Sequence, residues 1–181
     1  MTTPKLSDAL ARADLVHDRA TLAAAIARIG GEIDRELVGK PAVFVTVMQG
    51  ALMFAGQLAT SIAAPLTFDY VHATRYRGVT SGGELHWIKR PSIALAGATV
   101  LLVDDILDEG HTLNAIRDFC REQGAARVLL AVLCEKRHGR TVPNLRADFV
   151  GVQVPDRYVF GYGMDYYEQG RNLPAIYVVD A

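Results

Sequence analysis

Three short runs constrain this chain most: Ala42–Met48 (AVFVTVM), Thr99–Val103 (TVLLV) and Arg127–Cys134 (RVLLAVLC) are rich in β-branched and aliphatic residues and lack polar alternation. A strand of that composition has no face to give to water, so it must be covered on both sides. Helical patterns lie between these runs. After Asp18, a candidate N-cap, the apolar residues Leu22, Ile26, Ile29, Ile33 and Leu37 recur at intervals of three and four until Gly39 and Pro41 stop them. Ser7 is a second candidate cap, residues 51–63 read as a helix, and a third helix spans about Leu113 to Gln123, closed by Gly124. A further strand is expected at Leu66–Tyr76, and the less regular C-terminal part carries short apolar pieces at Phe149–Val154 and Ile176–Val179. Strands alternating with helices predict an α/β fold with an open, mainly parallel sheet. No repeat or linker divides the chain, so its 181 residues read as a single domain, 1–181.

The charge balance excludes several classes of partner. With 19 Lys+Arg against 20 Asp+Glu the chain has no overall basic surface, so no nucleic-acid partner is expected. The longest apolar stretch, Ile93–Val103, is too short to span a bilayer, and the N-terminus lacks a basic region followed by an apolar core; the expected location is cytoplasmic, with no membrane partner. Cys120 and Cys134 have no CxxC spacing and read as buried thiols, and His17, His72, His86, His111 and His138 form no i, i+4 pair, which argues against zinc.

The segment Val100–Thr112, VLLVDDILDEGHT, carries the chemistry. Its apolar half is a central strand. Its second half places Asp104, Asp105, Asp108, Gly110 and Thr112 at that strand's carboxyl end, where open α/β sheets bind ligands. A tight turn into a helix there aims backbone N–H groups and the Thr112 hydroxyl at one point, an anion cradle. Crowded carboxylates beside it repel one another unless a cation or sugar hydroxyls take them up. The combination points to a phosphorylated sugar with Mg²⁺ nearby.

This segment resembles the phosphoribosyl pyrophosphate (PRPP) signature of the type I phosphoribosyltransferases. FVTVMQGALMF (Phe44–Phe54), CEKRH (Cys134–His138), DFVGVQVPDRYVFGYGMD (Asp148–Asp165) and YYEQGRNLP (Tyr166–Pro174) are similar, in order and spacing, to segments of the hypoxanthine-guanine members. The resemblance implies a sheet with flanking helices and a small hood over the base, built from the N-terminal segment and residues from about 142 to 181. It implies purine salvage: transfer of the 5-phosphoribosyl group from PRPP to hypoxanthine or guanine, giving IMP or GMP and pyrophosphate, with Mg²⁺. By resemblance, Asp104 and Asp105 hold the ribose hydroxyls, and Asp108, Glu109, Gly110, His111 and Thr112 bind the 5′-phosphate. Gln49 and Gly50, following Met48, form the pyrophosphate loop, where the family often has a non-proline cis peptide, and Arg171 meets pyrophosphate. Lys136 donates to purine O6, Tyr158 stacks on the base, Val159 contacts its exocyclic edge through the backbone, and Asp165 lies beside it. Asp165, with Asp104 and Asp105, is the expected metal ligand set. Asp108 accepts the proton of purine N7, and Tyr76 belongs to a catalytic loop that includes the glycine-rich stretch after it, with the lid expected over Val79–Glu84. Family members are usually homo-oligomers, so a homodimer or homotetramer is expected.

Several residues depart from the family pattern. Asp104 stands where glutamate is usual, Glu109 where a small hydroxyl residue is usual, His111 for a basic or amide residue, Gln49 for a cation, and Arg75 where a hydroxyl residue precedes Tyr76. Glu109 must therefore turn its carboxylate from the phosphate and offer only its N–H. An ammonium such as that of Lys136 only donates, which suits a 6-oxopurine and disfavours adenine. Two alternatives remain at this stage: a xanthine-preferring relative, and an RNA-binding regulator of pyrimidine genes sharing the PRPP signature, whose basic face would have to be Lys136, Arg137, His138 and Arg140.

Overall fold

The computed structural model describes residues 4–75 and 85–180. The elements in chain order are α1 (Leu6–Leu10), β1 (Asp14–His17), α2 (Arg19–Leu37), β2 (Ala42–Met48), α3 (Leu52–Thr60), β3 (Leu66–Arg75), β4 (Leu85–Lys89), β5 (Thr99–Leu107), α4 (His111–Glu122), β6 (Arg127–Lys136), β7 (Phe149–Val154), β8 (Tyr158–Phe160) and β9 (Ile176–Val179). Six strands form one sheet in the order β4-β3-β2-β5-β6-β7, all parallel except the β3–β4 pair. A separate antiparallel sheet has the order β1-β9-β8.

The unbroken apolar runs behave as their composition requires. Along β2, Val43, Val45 and Val47 join the cluster that holds Leu113, Ile116 and Cys120 of α4, while Ala42 and Phe44 join the one that holds Ile26, Ile29 and Ile33 of α2 and Phe54 and Leu58 of α3. β5 and β6 alternate in the same way, Leu101 and Leu129 facing α2 and α3, and Leu102 and Leu130 facing α4. The period-2 geometry of a strand thus feeds two cores at once. The small sheet continues the first core through Val159, Ile176 and Val178, and packs its other face, with Phe160 and Val179, around Ala9 of α1.

Local signals fared unevenly. Asp18 does cap α2, accepting from the Thr21 N–H at 2.8 Å. Ser7 does not cap α1: the helix starts at Leu6, with Lys5, two residues before Ser7, in the cap position, and the Ser7 hydroxyl bonds Asp8 instead. β5 does not stop at Val103, because its parallel register with β6 continues through Asp104↔Val132 to Leu107↔Glu135, so the acidic pair lies inside the ladder. α4 begins at His111, two residues before the expected start. The stretch from 142 is divided between sheets, since β7 extends the large one.

Asp69 on β3 ties the antiparallel edge to this frame. It accepts from Lys89 Nζ at 2.7 Å, from the Tyr70 N–H at 2.7 Å, and from the backbone N–H groups of Ser92 and Ile93. Burial alone raises a carboxyl pKa, but these donors outweigh it and hold Asp69 at about 2. The folded value lies below the ordinary 3.8 of an aspartate, so this stabilisation is present above about pH 4 and is lost as pH falls toward 2. Denaturant titrations of the wild type and Asp69→Asn should converge over that window, the wild type losing about 2 kcal/mol of its advantage. A constant difference from pH 7 to pH 2 would refute the assignment.

Candidate active site

The strand order reverses between β2 and β5: β3 lies on one side of the pair and β6 on the other. Ligands bind open α/β sheets at such a switch point, outside the carboxyl ends of the strands. Those two ends carry Met48-Gln49-Gly50 and Asp104 to Asp108. The Met48–Gln49 peptide is cis. Gly50 packs directly on Asp105, so that a Cβ there would run into the Asp105 carboxylate; Gly163, at φ 105°, packs on Gly50, where a Cβ would run into the Gly50 carbonyl oxygen. Three segments distant in sequence are thereby stacked, and two of them require glycine for that approach.

Asp104 is 9% exposed, and its carboxylate accepts the Asp105 N–H at 2.9 Å. Burial and the neighbouring Asp105 charge push its pKa well above the usual carboxylate range. Burial also raises Asp105, opposed by hydrogen bonding from Asp104 and by the Arg171 charge. Two hard oxygen donors held side by side, reluctant to ionise without a positive neighbour, make a fitting set for a divalent cation such as Mg²⁺.

Beside them a cavity of about 370 Å³ is lined by Asp104, Ile106 and the run Asp108 to Leu113. Gly110 takes φ 80° and caps α4; a Cβ on it would strike Leu107 and Leu145. The first N–H groups of α4 follow at once and have no partner within the helix, which makes the cavity wall electropositive. The Glu109 carboxylate lies 3.5 Å from His111 Nε2 and 3.7 Å from Arg140 Nε, so basic neighbours balance it.

Asp108 is the most heavily bonded acid of the site. The register that pairs Leu107 with Glu135 brings the next two residues together, and Lys136 Nζ sits 2.6 Å from Asp108 Oδ2. His138 Nε2 lies 2.6 Å from Oδ1. Burial pushes the Asp108 pKa up, but these two donors and the Lys136 charge outweigh it and hold it below the ordinary value. Asp156 also approaches, with ligand atoms of Asp108, His138 and Asp156 within 4.8 Å of one another. That group is poorly set for a metal, because Lys136 and Arg140 already neutralise both carboxylates.

Tyr158, Val159, Asp165 and Arg171 come from β8 and the turns after it. The Tyr158 hydroxyl donates to the Asp165 carbonyl at 3.2 Å, and its ring lies parallel to Tyr167 at 6.4 Å between centroids. Asp165 pairs with Arg171 at 2.6 Å, and Arg171 also donates to the Gly163 carbonyl at 2.7 Å. Tyr162, Tyr167 and Glu168 adopt φ of 49°, 49° and 65°, left-handed backbone rarely taken by such residues, so this loop is held in shape by its surroundings. The Val159 side chain is part of the core, leaving its backbone on an edge strand as the available group.

The structure thus gathers Asp104, Asp108, Glu109, Gly110, His111 and Thr112 around one cavity, joins Lys136 to Asp108, and stacks Gly50, Asp105 and Gly163. Tyr76 and the expected lid lie outside the described residues. Sequence reasoning missed Gly163 and the bonding of His138. The first is signalled only by a glycine in GYGMD. The second was hidden in a basic cluster whose members are engaged by acids: Lys136 and His138 by Asp108, and Arg140 by Asp156 through two 2.8 Å bonds.

Residues 13–169 match the phosphoribosyl transferase domain family. The chain belongs to that family of phosphoribosyltransferases. Among its relatives, it is 35% identical over 164 residues to the hypoxanthine-guanine phosphoribosyltransferase of Streptococcus pneumoniae, covering 90% of this chain and 89% of that one. It is also 35% identical over 142 residues to the enzyme of the same name from Aquifex aeolicus, covering 78% and 79%. A solved hypoxanthine-guanine phosphoribosyltransferase from Bacillus anthracis, with a HEPES molecule in its active site, superposes with a TM-score of 0.86 at 30% identity, covering 92% of this chain and 98% of that one. These relatives favour neither the xanthine-preferring nor the RNA-binding alternative.

The glycine stack makes a direct prediction. Gly163→Ala puts a Cβ against the Gly50 carbonyl at a φ unfavourable to alanine, at a cost of about 1–3 kcal/mol from backbone strain alone. It should lower PRPP-dependent turnover by about tenfold or more. Gly31→Ala, on α2 with open space around it, should leave turnover unchanged. Equal turnover in all three proteins would refute the role of the stack.

Proposed function

We propose that this protein is a hypoxanthine-guanine phosphoribosyltransferase of purine salvage, transferring the 5-phosphoribosyl group of PRPP to hypoxanthine or guanine to give IMP or GMP and pyrophosphate. The observation that carries this reading is the contact of Asp108 with Lys136. A 6-oxopurine presents N7 and O6 side by side on one edge. A carboxylate next to an ammonium matches that edge when N7 carries a proton to be lost and O6 accepts one. Adenine presents an amino group at that corner and would set donor against donor.

The reading assigns the following roles to the residues gathered at the site. The turn Asp108 to Thr112, with the N-terminus of α4 behind it, receives the 5′-phosphate, and Asp104 and Asp105 face the ribose hydroxyls. Gln49, Gly50 and Arg171 take the pyrophosphate, Arg171 being steadied by Asp165. Tyr158 offers its ring to the base and the Val159 backbone its edge. Asp104, Asp105 and Asp165 would hold Mg²⁺, which when bound supplies positive charge against the departing pyrophosphate. As N9 of the base attacks the anomeric carbon, the proton on N7 passes to Asp108, and the C–O bond electrons leave with pyrophosphate. Loss of activity on chelation, restored by Mg²⁺, is expected.

The small sheet with α1 serves as the hood of a single domain. The reading includes a homodimer or homotetramer. It is supported by an apolar groove of about 440 Å³ lined by Phe44, Leu52, Ala55 and Phe68, where Phe68 is 58% exposed. No helix among the described residues is long and apolar enough to cross a membrane, consistent with a cytoplasmic enzyme.

Pyrophosphate release from PRPP and Mg²⁺ with adenine, guanine, hypoxanthine, xanthine and uracil tests the reading. Hypoxanthine and guanine should turn over, and adenine should fall behind by at least about tenfold in kcat/KM, from a lost charge-assisted bond of about 1.5–3 kcal/mol. Comparable use of adenine would overturn the role of Lys136. Asp108→Asn should lower kcat by about 10²- to 10⁴-fold, and full activity would remove Asp108 as proton acceptor.

A further inference from the structure

Asp108 is gripped from two sides, and the two grips are unequal. Lys136 meets Oδ2 and His138 meets Oδ1, each at 2.6 Å. The other ring nitrogen of His138, Nδ1, accepts the Arg140 backbone N–H at 3.1 Å. A ring nitrogen that accepts carries no proton, so the hydrogen-bond network assigns the neutral tautomer with its proton on Nε2, aimed at Asp108. The opposite tautomer would set N–H against N–H at Arg140. Arg140 is itself anchored on Asp156 by two 2.8 Å bonds. The His138 side chain is 3% exposed against 39% for Asp108, so the imidazole stands behind the carboxylate, away from the open side of the cavity.

We propose that His138 is a positioning residue for phosphoribosyl transfer: its Nε2–H fixes the plane of the Asp108 carboxylate so that a free lone pair meets the N7 proton of the base. The inference rests on the reading of Asp108 as proton acceptor. A carboxylate turns broadly about its last torsion, and one donor leaves that rotation open. Lys136 is the donor expected to turn toward O6 when the base is bound, and His138 is then the donor that stays. The ionised carboxylate has about four acceptor positions, so His138 and Lys136 leave room for N7–H. The same arrangement, a group held in one orientation by a tautomer-locked imidazole, is a recurrent way of making a reacting atom wait in the right place.

The two bonds of the ring can be separated by substitution. His138→Gln carries an amide nitrogen to the Nε2 position and keeps a donor for Asp108. His138→Asn reaches the Nδ1 position, where it can accept from Arg140 and preserve the turn but cannot reach Asp108. His138→Phe keeps the ring volume and removes both bonds. Steady-state pyrophosphate release with hypoxanthine and PRPP should show kcat lower by about 10- to 100-fold in His138→Asn and His138→Phe, the range of a lost charge-assisted hydrogen bond, with KM for PRPP within about threefold. His138→Gln should recover kcat to within about fivefold. In an Asp108→Asn background, His138→Asn should cost less than about twofold more, because its target is already altered.

Asp108→Asn with undiminished kcat would sink the reading on which the inference rests. Impaired Asp108→Asn beside fully active His138→Asn would sink the positioning role alone. So would losses that multiply in the double variant, or a folded His138→Gln no better than His138→Asn. Thermal melts on the same samples identify any variant that has not folded, and the Gln and Asn pair decides the outcome if His138→Phe is one of them.

Discussion

The acidic pair at the end of the central strand is the constraint around which this molecule is arranged. Asp104 and Asp105 are not loop residues that happen to follow β5; they lie within the strand where it pairs with β6, Asp104 buried and Asp105 half-buried. Burial of two adjacent carboxyls is unfavourable for both, and nothing in the packing of the cores requires it. Their neighbours are correspondingly specific. Gly50 gives up its side chain to let Asp105 in, Gly163 gives up its own to lie on Gly50, and Arg171 brings the compensating charge. A ligand site can tolerate such strain because a cation and a polyhydroxylated substrate relieve it.

The two-faced core and this site are consequences of one topology. A parallel sheet buried on both faces leaves only strand ends for polar chemistry, and the reversal between β2 and β5 opens a crevice at two of those ends. The small sheet lies beside this frame. One face of it belongs to the same hydrophobic cluster as α2 and α3, so the main core helps to position the loop bearing Asp165 and Arg171, together with that loop's own Asp165–Arg171 pair.

What the sequence made legible follows the range of the signal. Apolar runs and the Asp18 cap are local patterns, and each appeared where its residues predicted. The extent of β5 was misread because hydrophobicity ends at Val103 while the hydrogen-bonded ladder runs on to Leu107, a pairing only β6 can supply. The segment from 142 was misjudged for the same reason: nothing in FVGVQV distinguishes an edge strand of the large sheet from a strand of the small one. Lys136 was identified, but its contact with Asp108 depends on cross-strand register. His138 shows the limit most clearly, because a histidine in a run of basic residues looks like surface until the fold folds it behind an acid.

The carboxylates of the site fall into two kinds, and the difference is physical. Asp104 and Asp105 are raised by burial and share one positive neighbour, so their environment favours a form that a divalent cation can complete. Asp108 is lowered by Lys136 and His138, so it is ionised and ready to accept at neutral pH. A carboxylate held below its ordinary pKa is a weak base, which suits the proposed reaction: the N7 proton becomes strongly acidic only as N9 forms its bond to the anomeric carbon. A stronger base would gain little for proton transfer and would compete for the same cations. Pushing like groups apart in this way suits one pair of acids to cation binding and a third to proton acceptance, the division the proposed roles require.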